Sequence, residues 1–247
     1  MSAYTRFVIL AAPRTGSNLL CTLLNSHPEV LCHHELFNPN GIFYALEYRD
    51  GALDLGSMEE REHDPSGFLQ RVWEHPLGAS CIGFKMTRGQ NEYIMRSLIE
   101  DSGVLKILLR RRNRLKTYVS EQLAMRTDRW EVYSKEELAS DSPRLHIDVD
   151  AFMAHCDLNE RYYQAIQSAL LCGKQPWIET AYEDILDADE HVRLLEFLGV
   201  PQTQTRLTQS SIKQNNTDLR THIENFRDLE LAFEGSEYLA ELYDDEN

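Results

Sequence analysis

The stretch "FVILAAPRTGSNLLCTLLNSHPEV", residues 7–30, decides the fold. Its apolar run ends at Ala12, a polar turn follows over residues 13–18, and apolar residues then resume at helical spacing. This pattern predicts a strand over residues 6–12, a tight turn, and a helix over residues 16–26. The first N–H groups of a helix have no partner within it and carry partial positive charge, so such a turn is suited to bind an anion.

The turn differs from the usual nucleotide-binding loop. A Walker loop reads G-x-x-x-x-G-K-[ST], whereas here no lysine follows Gly16, and the basic residue, Arg14, precedes the glycine. The sequence therefore disfavours the usual binding of a nucleoside triphosphate. A single phosphate remains compatible with the turn, and an ordinary strand-to-helix turn is the alternative. The groups available to that phosphate are the Arg14 guanidinium, the hydroxyls of Thr15 and Ser17, and the backbone amides of Gly16, Ser17, Asn18 and Leu19.

Strand and helix patterns alternate along the rest of the chain. The predicted strands cover residues 6–12, 29–32, 80–85, 104–109 and 177–180, and the predicted helices cover residues 16–26, 66–74, 92–100, 112–125, 149–171 and 190–198. This alternation predicts an α/β fold with a P-loop-like parallel sheet flanked by helices on both faces, in one domain over residues 1–247. The polar residues 127–147 are predicted to form a lid over the site or an ordinary loop insertion.

The net charge and its distribution along the chain limit the classes of ligand that the protein is expected to bind. The formal net charge is −15, from 25 basic and 40 acidic residues, which argues against general nucleic-acid binding. Seven basic residues nevertheless fall within residues 106–126, whereas residues 228–247 hold eight acidic residues and no basic one. The basic segment indicates either a local anionic ligand or a solvated helix face, and the acidic tail either an interface or a solvated helix.

The cysteines and the apolar runs bear on the cellular compartment. The five cysteines are scattered and form no C-x-x-C pair, so neither a disulfide framework nor a structural zinc site is expected. No apolar run approaches the ~20 residues that span a bilayer, and the N-terminus lacks a signal-peptide pattern. We therefore expect a cytoplasmic protein without a transmembrane segment. The sequence leaves open whether it forms a homo-oligomer.

A second motif, "LLRRRNRLKTYVSEQLA" over residues 108–124, follows an apolar strand. Arg112 and Ser120 are eight residues apart, just over two helical turns, which would place them near one helix face. This spacing resembles the 3′-phosphate-binding signature of sulfotransferases that use 3′-phosphoadenosine-5′-phosphosulfate (PAPS), and the opening turn resembles their 5′-phosphosulfate-binding loop. The resemblance implies that Arg112 offers a bidentate fork, and Ser120 a hydroxyl, to the 3′-phosphate.

Two later stretches add to this resemblance. The run "IETAYEDILDADEHVRLLEFLGVP", residues 178–201, is similar to the family's adenine-side region, which implies that Tyr182 lies near adenine; a core tyrosine is the alternative. The run "SIKQNN", residues 211–216, stands where the family places a loop over the 3′-phosphate, which makes Lys213 and Gln214 candidates for that contact.

Within the superfamily the chain resembles bacterial nodulation-type and lipopolysaccharide-type sulfotransferases from about residue 7 to residue 243. The resemblance is carried by "ILAAPRTGSNLL" with "NSHPEVL" and "HELFN", by "LLRRRNRL", and by "NFRDLELAFEGSEYLAELYD". It implies in-line transfer of a sulfuryl group from PAPS to a hydroxyl of a carbohydrate or glycolipid-like acceptor, without a metal. The second product would be 3′,5′-adenosine bisphosphate (PAP).

The resemblance also implies the catalytic residues. Arg14 would stabilise charge on the 5′-phosphate and the bridging oxygen. Independently of the resemblance, Lys85 ends a predicted buried strand, where it would assist Arg14 or bind the acceptor; a lysine that only extends its ammonium to solvent is the alternative. Glu35, in "CHHELFN", aligns with the general base, a role that suits a carboxylate whose pKa is raised by burial. His33 and His34 are rival bases. The "CHHE" run also suggests metal ligands, but adjacent residues rarely converge on one ion.

Two other functions stay open at this point. A P-loop-type small-molecule kinase is disfavoured by the missing Gly-Lys-Ser/Thr, and Mg²⁺-dependent ATP turnover would distinguish it. A non-catalytic nucleotide-binding protein of the same fold is disfavoured because Arg14, Glu35, Arg112 and Ser120 are all present. In that case the change Glu35→Gln would leave function untouched.

Overall fold

The strands form a single parallel sheet. A computed structural model describes residues 4–131, 143–201, 207–208 and 218–244. Within these ranges five strands pair in the order β2-β3-β1-β4-β5, and every pairing is parallel. The strands are β1 (Thr5–Ala11), β2 (Val30–His33), β3 (Cys81–Thr87), β4 (Val104–Arg110) and β5 (Trp177–Ala181). The predicted α/β parallel architecture is confirmed.

Nine α-helices connect and flank these strands in the described part of the chain. They are α1 (Ser17–Asn25), α2 (Met58–His63), α3 (Pro65–Trp73), α4 (Glu92–Glu100), α5 (Arg114–Thr127), α6 (Val149–Cys172), α7 (Ala188–Leu198), α8 (Phe226–Ala232) and α9 (Tyr238–Tyr243). Sequence periodicity predicted α1, α3, α4, α5, α6 and α7 to within about two residues at each end. The short helices α2, α8 and α9 were not predicted, because six or seven residues give too few turns for a clear periodicity.

Strand β1 lies at the centre of the sheet and is buried on both faces. Phe7, Ile9 and Ala11 pack on one face with helices α1 and α7. Val8 and Leu10 pack on the other face with helices α3, α4 and α6. Burial on both faces explains why this strand reads as a continuous apolar run rather than an alternating one. It also fixes the turn after β1 at the carboxyl edge of the sheet, where ligands of parallel sheets bind.

The C-terminal helix α9 holds the start of helix α5. The backbone N–H of Leu115 donates to Glu241 Oε2 over 2.9 Å, and Arg114 Nε donates to Glu241 Oε1 over 2.7 Å. The Asn113 side chain donates to the backbone oxygen of Glu241 over 2.9 Å. A carboxylate at a helix N-terminus satisfies N–H groups that have no partner within the helix and interacts well with the helix dipole. Part of the basic segment therefore binds the chain's own acidic tail.

The polar segment 127–147 is described only at its two ends. Helix α5 continues to Thr127, two residues further than predicted. At the other end Leu145 forms a parallel bridge with Ile223, and Leu145 and Ile147 are buried in an apolar cluster with α5, α6, α8 and α9. Residues 132–142 lie outside the described ranges, so the lid stays a prediction. Among the described residues, no helix is both long and apolar enough to cross a membrane.

Candidate active site

The turn between β1 and α1 has an unusual backbone. Arg14 and Gly16 both adopt positive φ, 61° and 87°. The Tyr182 ring lies so close to Gly16 that a Cβ added there would stand 2.3 Å from Tyr182 Cδ2, so only glycine fits both the conformation and the contact. The Thr15 hydroxyl donates to the backbone oxygen of Ala12 over 2.8 Å and so points inward.

A buried tyrosine on α6 ties the turn to the neighbouring strand. The Tyr163 hydroxyl accepts a hydrogen bond from the backbone N–H of Ala12 over 2.9 Å and donates to the backbone oxygen of Leu109 over 2.8 Å. These two residues lie at the ends of β1 and β4. A single side chain therefore fixes the spacing between the turn after β1 and the strand that leads into the second motif.

Arg14 and Ser120, both predicted to contact the donor, meet in the structure. Arg14 Nε donates to Ser120 Oγ over 3.0 Å, and its NH1 donates to the backbone oxygen of Trp130. Burial and the nearby Arg111 lower the pKa of Arg14 to about 10. The guanidinium therefore remains protonated at neutral pH, as a group that stabilises a developing negative charge must be.

Lys85 and Glu35 form an ion pair beside the turn. Lys85 Nζ lies 2.8 Å from Glu35 Oε1, and the lysine side chain is 3% exposed. Lys85 also donates to the side-chain oxygen of Asn18, on the first turn of α1. Asn38 donates to the other carboxylate oxygen of Glu35. The fold thus brings together Glu35, Lys85 and Asn18, which the sequence had singled out at three separate positions.

The pKa of Glu35 is lowered, so the condition that would favour it as a base, a pKa raised by burial, is not met. Burial disfavours the charged carboxylate, but attraction and a hydrogen bond from Lys85, with hydrogen bonds from Asn38 and Gln90, outweigh it and lower the pKa of Glu35 below its ordinary 4.5. The carboxylate is therefore ionised at neutral pH. It is available to accept a proton but is a weaker base than a carboxylate whose pKa is raised.

The two rival bases are buried and uncharged. Burial lowers the pKa of His33 to about 4 and, together with the positive charges of Lys85 and Arg49, takes the pKa of His34 well below 6.5. His33 Nδ1 accepts a hydrogen bond from the Ala45 N–H over 3.1 Å, so it is occupied by the backbone. Both rings are neutral at pH 7, and their basicity is lower than that of an ordinary histidine.

Arg112 lies outside helix α5. The spacing argument put it on a helix face with Ser120, but α5 begins at Arg114, because Asn113 caps the helix by accepting from the Lys116 N–H over 2.8 Å. The Arg112 guanidinium instead forms a fork with Asp184, with a 2.8 Å bond from NH1 to Oδ1. The shared helix face is therefore a wrong expectation, and Ser120 pairs with Arg14.

Tyr182 has a neighbour that the sequence did not single out. The Arg111 guanidinium lies over the Tyr182 ring, 4.5 Å from its centroid, and Arg111 NH1 donates to the backbone oxygen of Arg14 over 3.4 Å. Arg111 therefore links the second motif to the turn between β1 and α1. The contact of Tyr182 with adenine stays a prediction. Lys213 and Gln214 lie outside the described residues.

Further residues of the site carried no recognisable sequence signal. Gln90 is buried, and its side-chain nitrogen donates to Thr87 Oγ1 over 3.0 Å while the side chain also contacts Glu35. Glu131, just after helix α5, accepts from Arg49 NH1 over 2.7 Å and lies 3.8 Å from His34 Nδ1. Within the described residues no cluster of three or more His, Cys, Asp or Glu side chains is arranged to hold a metal ion.

Comparison with solved structures defines the class of fold. The structure is similar to the crystal structure of a sulfotransferase from Alicyclobacillus acidocaldarius, with a TM-score of 0.50 and 16% sequence identity over 97% of this chain and 94% of that chain. At this identity the likeness concerns the fold alone, and it defines an α/β sulfotransferase fold.

Comparison of sequences adds relatives along nearly the whole chain. Nodulation protein H from Rhizobium tropici is 26% identical over 241 residues, which cover 94% of this chain and 90% of that protein. Nodulation protein H from Rhizobium meliloti (strain 1021) is 27% identical over 237 residues, with 94% and 92% covered. No protein-family model matches the chain. The chain therefore has a sulfotransferase fold and is similar along nearly its whole length to nodulation proteins H, in agreement with the resemblance that the motifs indicated.

Proposed function

We propose that the enzyme transfers a sulfuryl group from PAPS to a hydroxyl of a carbohydrate or glycolipid-like acceptor, with Glu35 as general base. The observation that supports this proposal most is the ion pair of Glu35 with Lys85, which Asn18 joins to the first turn of α1. It places an ionised carboxylate and a cation next to the turn that the resemblance assigns to the 5′-phosphosulfate. A proton acceptor and an anion site must be neighbours if a hydroxyl is to attack the sulfur in line.

The turn and α5 would hold the donor. Arg14 and the N–H groups at the start of α1 face the proposed 5′-phosphosulfate, and charge that develops on the bridging oxygen is stabilised by the Arg14 guanidinium. Ser120, hydrogen-bonded to Arg14, and the exposed guanidinium of Arg112 are the proposed contacts of the 3′-phosphate. PAP is then the product that leaves the site. The sulfuryl group itself needs no metal in this scheme.

The acceptor is proposed from the resemblance to nodulation-type and lipopolysaccharide-type enzymes and from the whole-length similarity to nodulation proteins H. Its attacking hydroxyl would donate its proton to Glu35, whose carboxylate is ionised because Lys85, Asn38 and Gln90 stabilise the charge. Lys85 lies within reach of the same carboxylate, so it would hold Glu35 in place and keep it charged.

The first experiment is calorimetric titration of the purified protein with PAP, compared with ATP plus Mg²⁺. We expect tight binding of PAP and weak binding of ATP. The turn, with Arg14 before its glycine, suits a single phosphate, and it lacks the lysine with which a Walker loop binds a triphosphate. Preference for ATP would contradict the proposed donor and favour a kinase. Absence of PAP binding would likewise count against the proposal.

The ion pair predicts a change in pH dependence for the variant Lys85→Met. Attraction to Lys85 lowers the pKa of Glu35, so its removal leaves burial as the main influence, and burial raises that pKa. Glu35 then takes up a proton at higher pH than in the parent enzyme. We expect the acidic limb of the kcat/KM profile to move to higher pH, measured by sulfuryl transfer across an acidic pH series.

Lys106→Met is the matched control for this experiment. Lys106 is a fully buried lysine of the same sheet, on strand β4, which β1 separates from the strand of Lys85. Its ammonium donates to the Asp101 backbone oxygen and to Gln175. It has no contact with Glu35 among its described hydrogen bonds, so its removal should leave the acidic limb in place. Thermal unfolding of both variants shows that the folded enzyme is being compared. An acidic limb that does not move in Lys85→Met would mean that Glu35 is not the titrating base.

A further inference from the structure

Two consecutive acidic residues, Glu183 and Asp184, bind Arg112, one of the two residues predicted to contact the 3′-phosphate. The guanidinium of Arg112 forms a two-pronged pair with the Asp184 carboxylate. The backbone N–H groups of Arg112 and Asn113 both point at Glu183 Oε1, over 2.9 and 3.3 Å. A guanidinium fork and successive backbone N–H groups are features that bind phosphate in proteins. In the structure their partners are carboxylates of the chain itself.

The pair is accessible to a ligand. The Arg112 side chain is 61% exposed and that of Asp184 is 37% exposed, so a dissolved anion can reach the guanidinium directly. Exposed ion pairs contribute little to stability, because water solvates both partners nearly as well apart as together. Asp184 can therefore be displaced by a group that binds Arg112 better. A phosphate dianion, with higher charge and the same bidentate geometry, is such a group.

We propose that Asp184 sets the affinity for the donor, because its carboxylate takes the place of the donor's 3′-phosphate on Arg112 and has to be displaced by it. The inference rests on the proposed function, since it needs a donor with a 3′-phosphate. A nucleotide that lacks this phosphate cannot break the pair and gains nothing from Arg112. A competing carboxylate lowers the affinity for every ligand that binds Arg112. Its competition with the 3′-phosphate can therefore be measured as a change in nucleotide affinity.

The test is calorimetric titration of the variant Asp184→Asn with PAP and with adenosine 5′-monophosphate, which lacks the 3′-phosphate. The change removes the competing charge and keeps the shape of the side chain. We expect Asp184→Asn to bind PAP about two- to fivefold more tightly than the parent enzyme does. This range corresponds to the free energy of an exposed ion pair. Binding of adenosine 5′-monophosphate should not change.

Two controls separate this effect from a general loss of negative charge. Asp189 is exposed and lines the same surface cleft as Asp184, so Asp189→Asn makes the same change of charge nearby and should leave PAP affinity as it is. In an Arg112→Ala background, Asp184→Asn should no longer tighten PAP binding, because the contested guanidinium is gone. Thermal unfolding of each variant confirms that it is folded.

The outcomes distinguish the inference from the function on which it rests. If the parent enzyme binds no PAP, the proposed donor is wrong. If the parent binds PAP and Asp184→Asn binds it equally or more weakly, the inference alone is overturned, and Asp184 orients Arg112 instead of competing for it. An equal gain for both nucleotides would also overturn the inference, because it would show a general electrostatic effect.

Discussion

Replacement of Glu35 by glutamine should lower turnover by ~10²–10⁴-fold and leave PAP binding unchanged. The amide has nearly the shape of the carboxylate, so the neighbouring side chains Lys85 and Asn38 keep most of their packing. It cannot take up the proton of the attacking hydroxyl, so that step would have to proceed without a base. The loss should appear in kcat, because the carboxylate acts on the reacting hydroxyl and not on the nucleotide.

The measurement is sulfuryl transfer under saturating PAPS, together with PAP titration of the same preparation. Glu131→Gln is the matched control, because this carboxylate lies 3.8 Å from His34 and pairs with Arg49. In the described part of the chain it forms no ion pair with Lys85, whose carboxylate partner is Glu35. We expect its turnover to stay within tenfold of the parent. Turnover at the parent rate in Glu35→Gln would exclude Glu35 as the base and direct attention to His33 and His34.

The sequence was most informative where one strand and one helix carry the signal. The apolar run of β1 and the helical spacing of α1 are local patterns, and the turn between them follows from their ends. Its glycine was recognised as part of an anion-binding turn, but the reason for a glycine there is tertiary. The ring of Tyr182, which directly follows edge strand β5, leaves no room for a Cβ at Gly16.

The charge state of Glu35 was not predictable from the sequence. Burial alone raises a carboxylate pKa, but the net shift depends on which charges lie within a few ångströms. Lys85 is fifty residues away in the chain and reaches Glu35 because β3 pairs directly with β2. The register of that pairing, and therefore the ion pair, is set by packing between strands and helices that no local pattern encodes.

The second motif shows how a local signal can be misread. The eight-residue spacing from Arg112 to Ser120 is compatible with one continuous helix, but Asn113 is a residue type that favours the cap before a helix. Counting Asn113 as the cap would have placed Arg112 outside α5. The ion pair with Asp184 would still have been missed, because it joins the ends of β4 and β5, which are adjacent only in the folded sheet.

The second large effect is expected for Arg14→Ala, which should lower kcat by ~10²–10³-fold while PAP affinity falls much less. Negative charge builds on the bridging oxygen during transfer, so a cation at the turn interacts more strongly with the transition state than with bound nucleotide. The guanidinium is charged at neutral pH because the pKa of Arg14, though lowered by burial, is still about 10. Single-turnover transfer from PAPS, with PAP titration, separates the two quantities.

Two further variants test whether charge at this position is the cause. Arg14→Lys keeps a cation but loses the fork that reaches Ser120 and Trp130, so it should recover part of the lost turnover. Arg6→Ala removes an arginine near the start of β1, at the end of that strand away from the Arg14 turn. Arg6 pairs with Asp101 there, so the change should leave kcat nearly unchanged. If Arg14→Ala weakens PAP binding as much as it lowers kcat/KM, Arg14 contributes equally to ground and transition states. It is then a binding residue, and stabilisation of the bridging oxygen falls to Lys85 and to the N–H groups of α1.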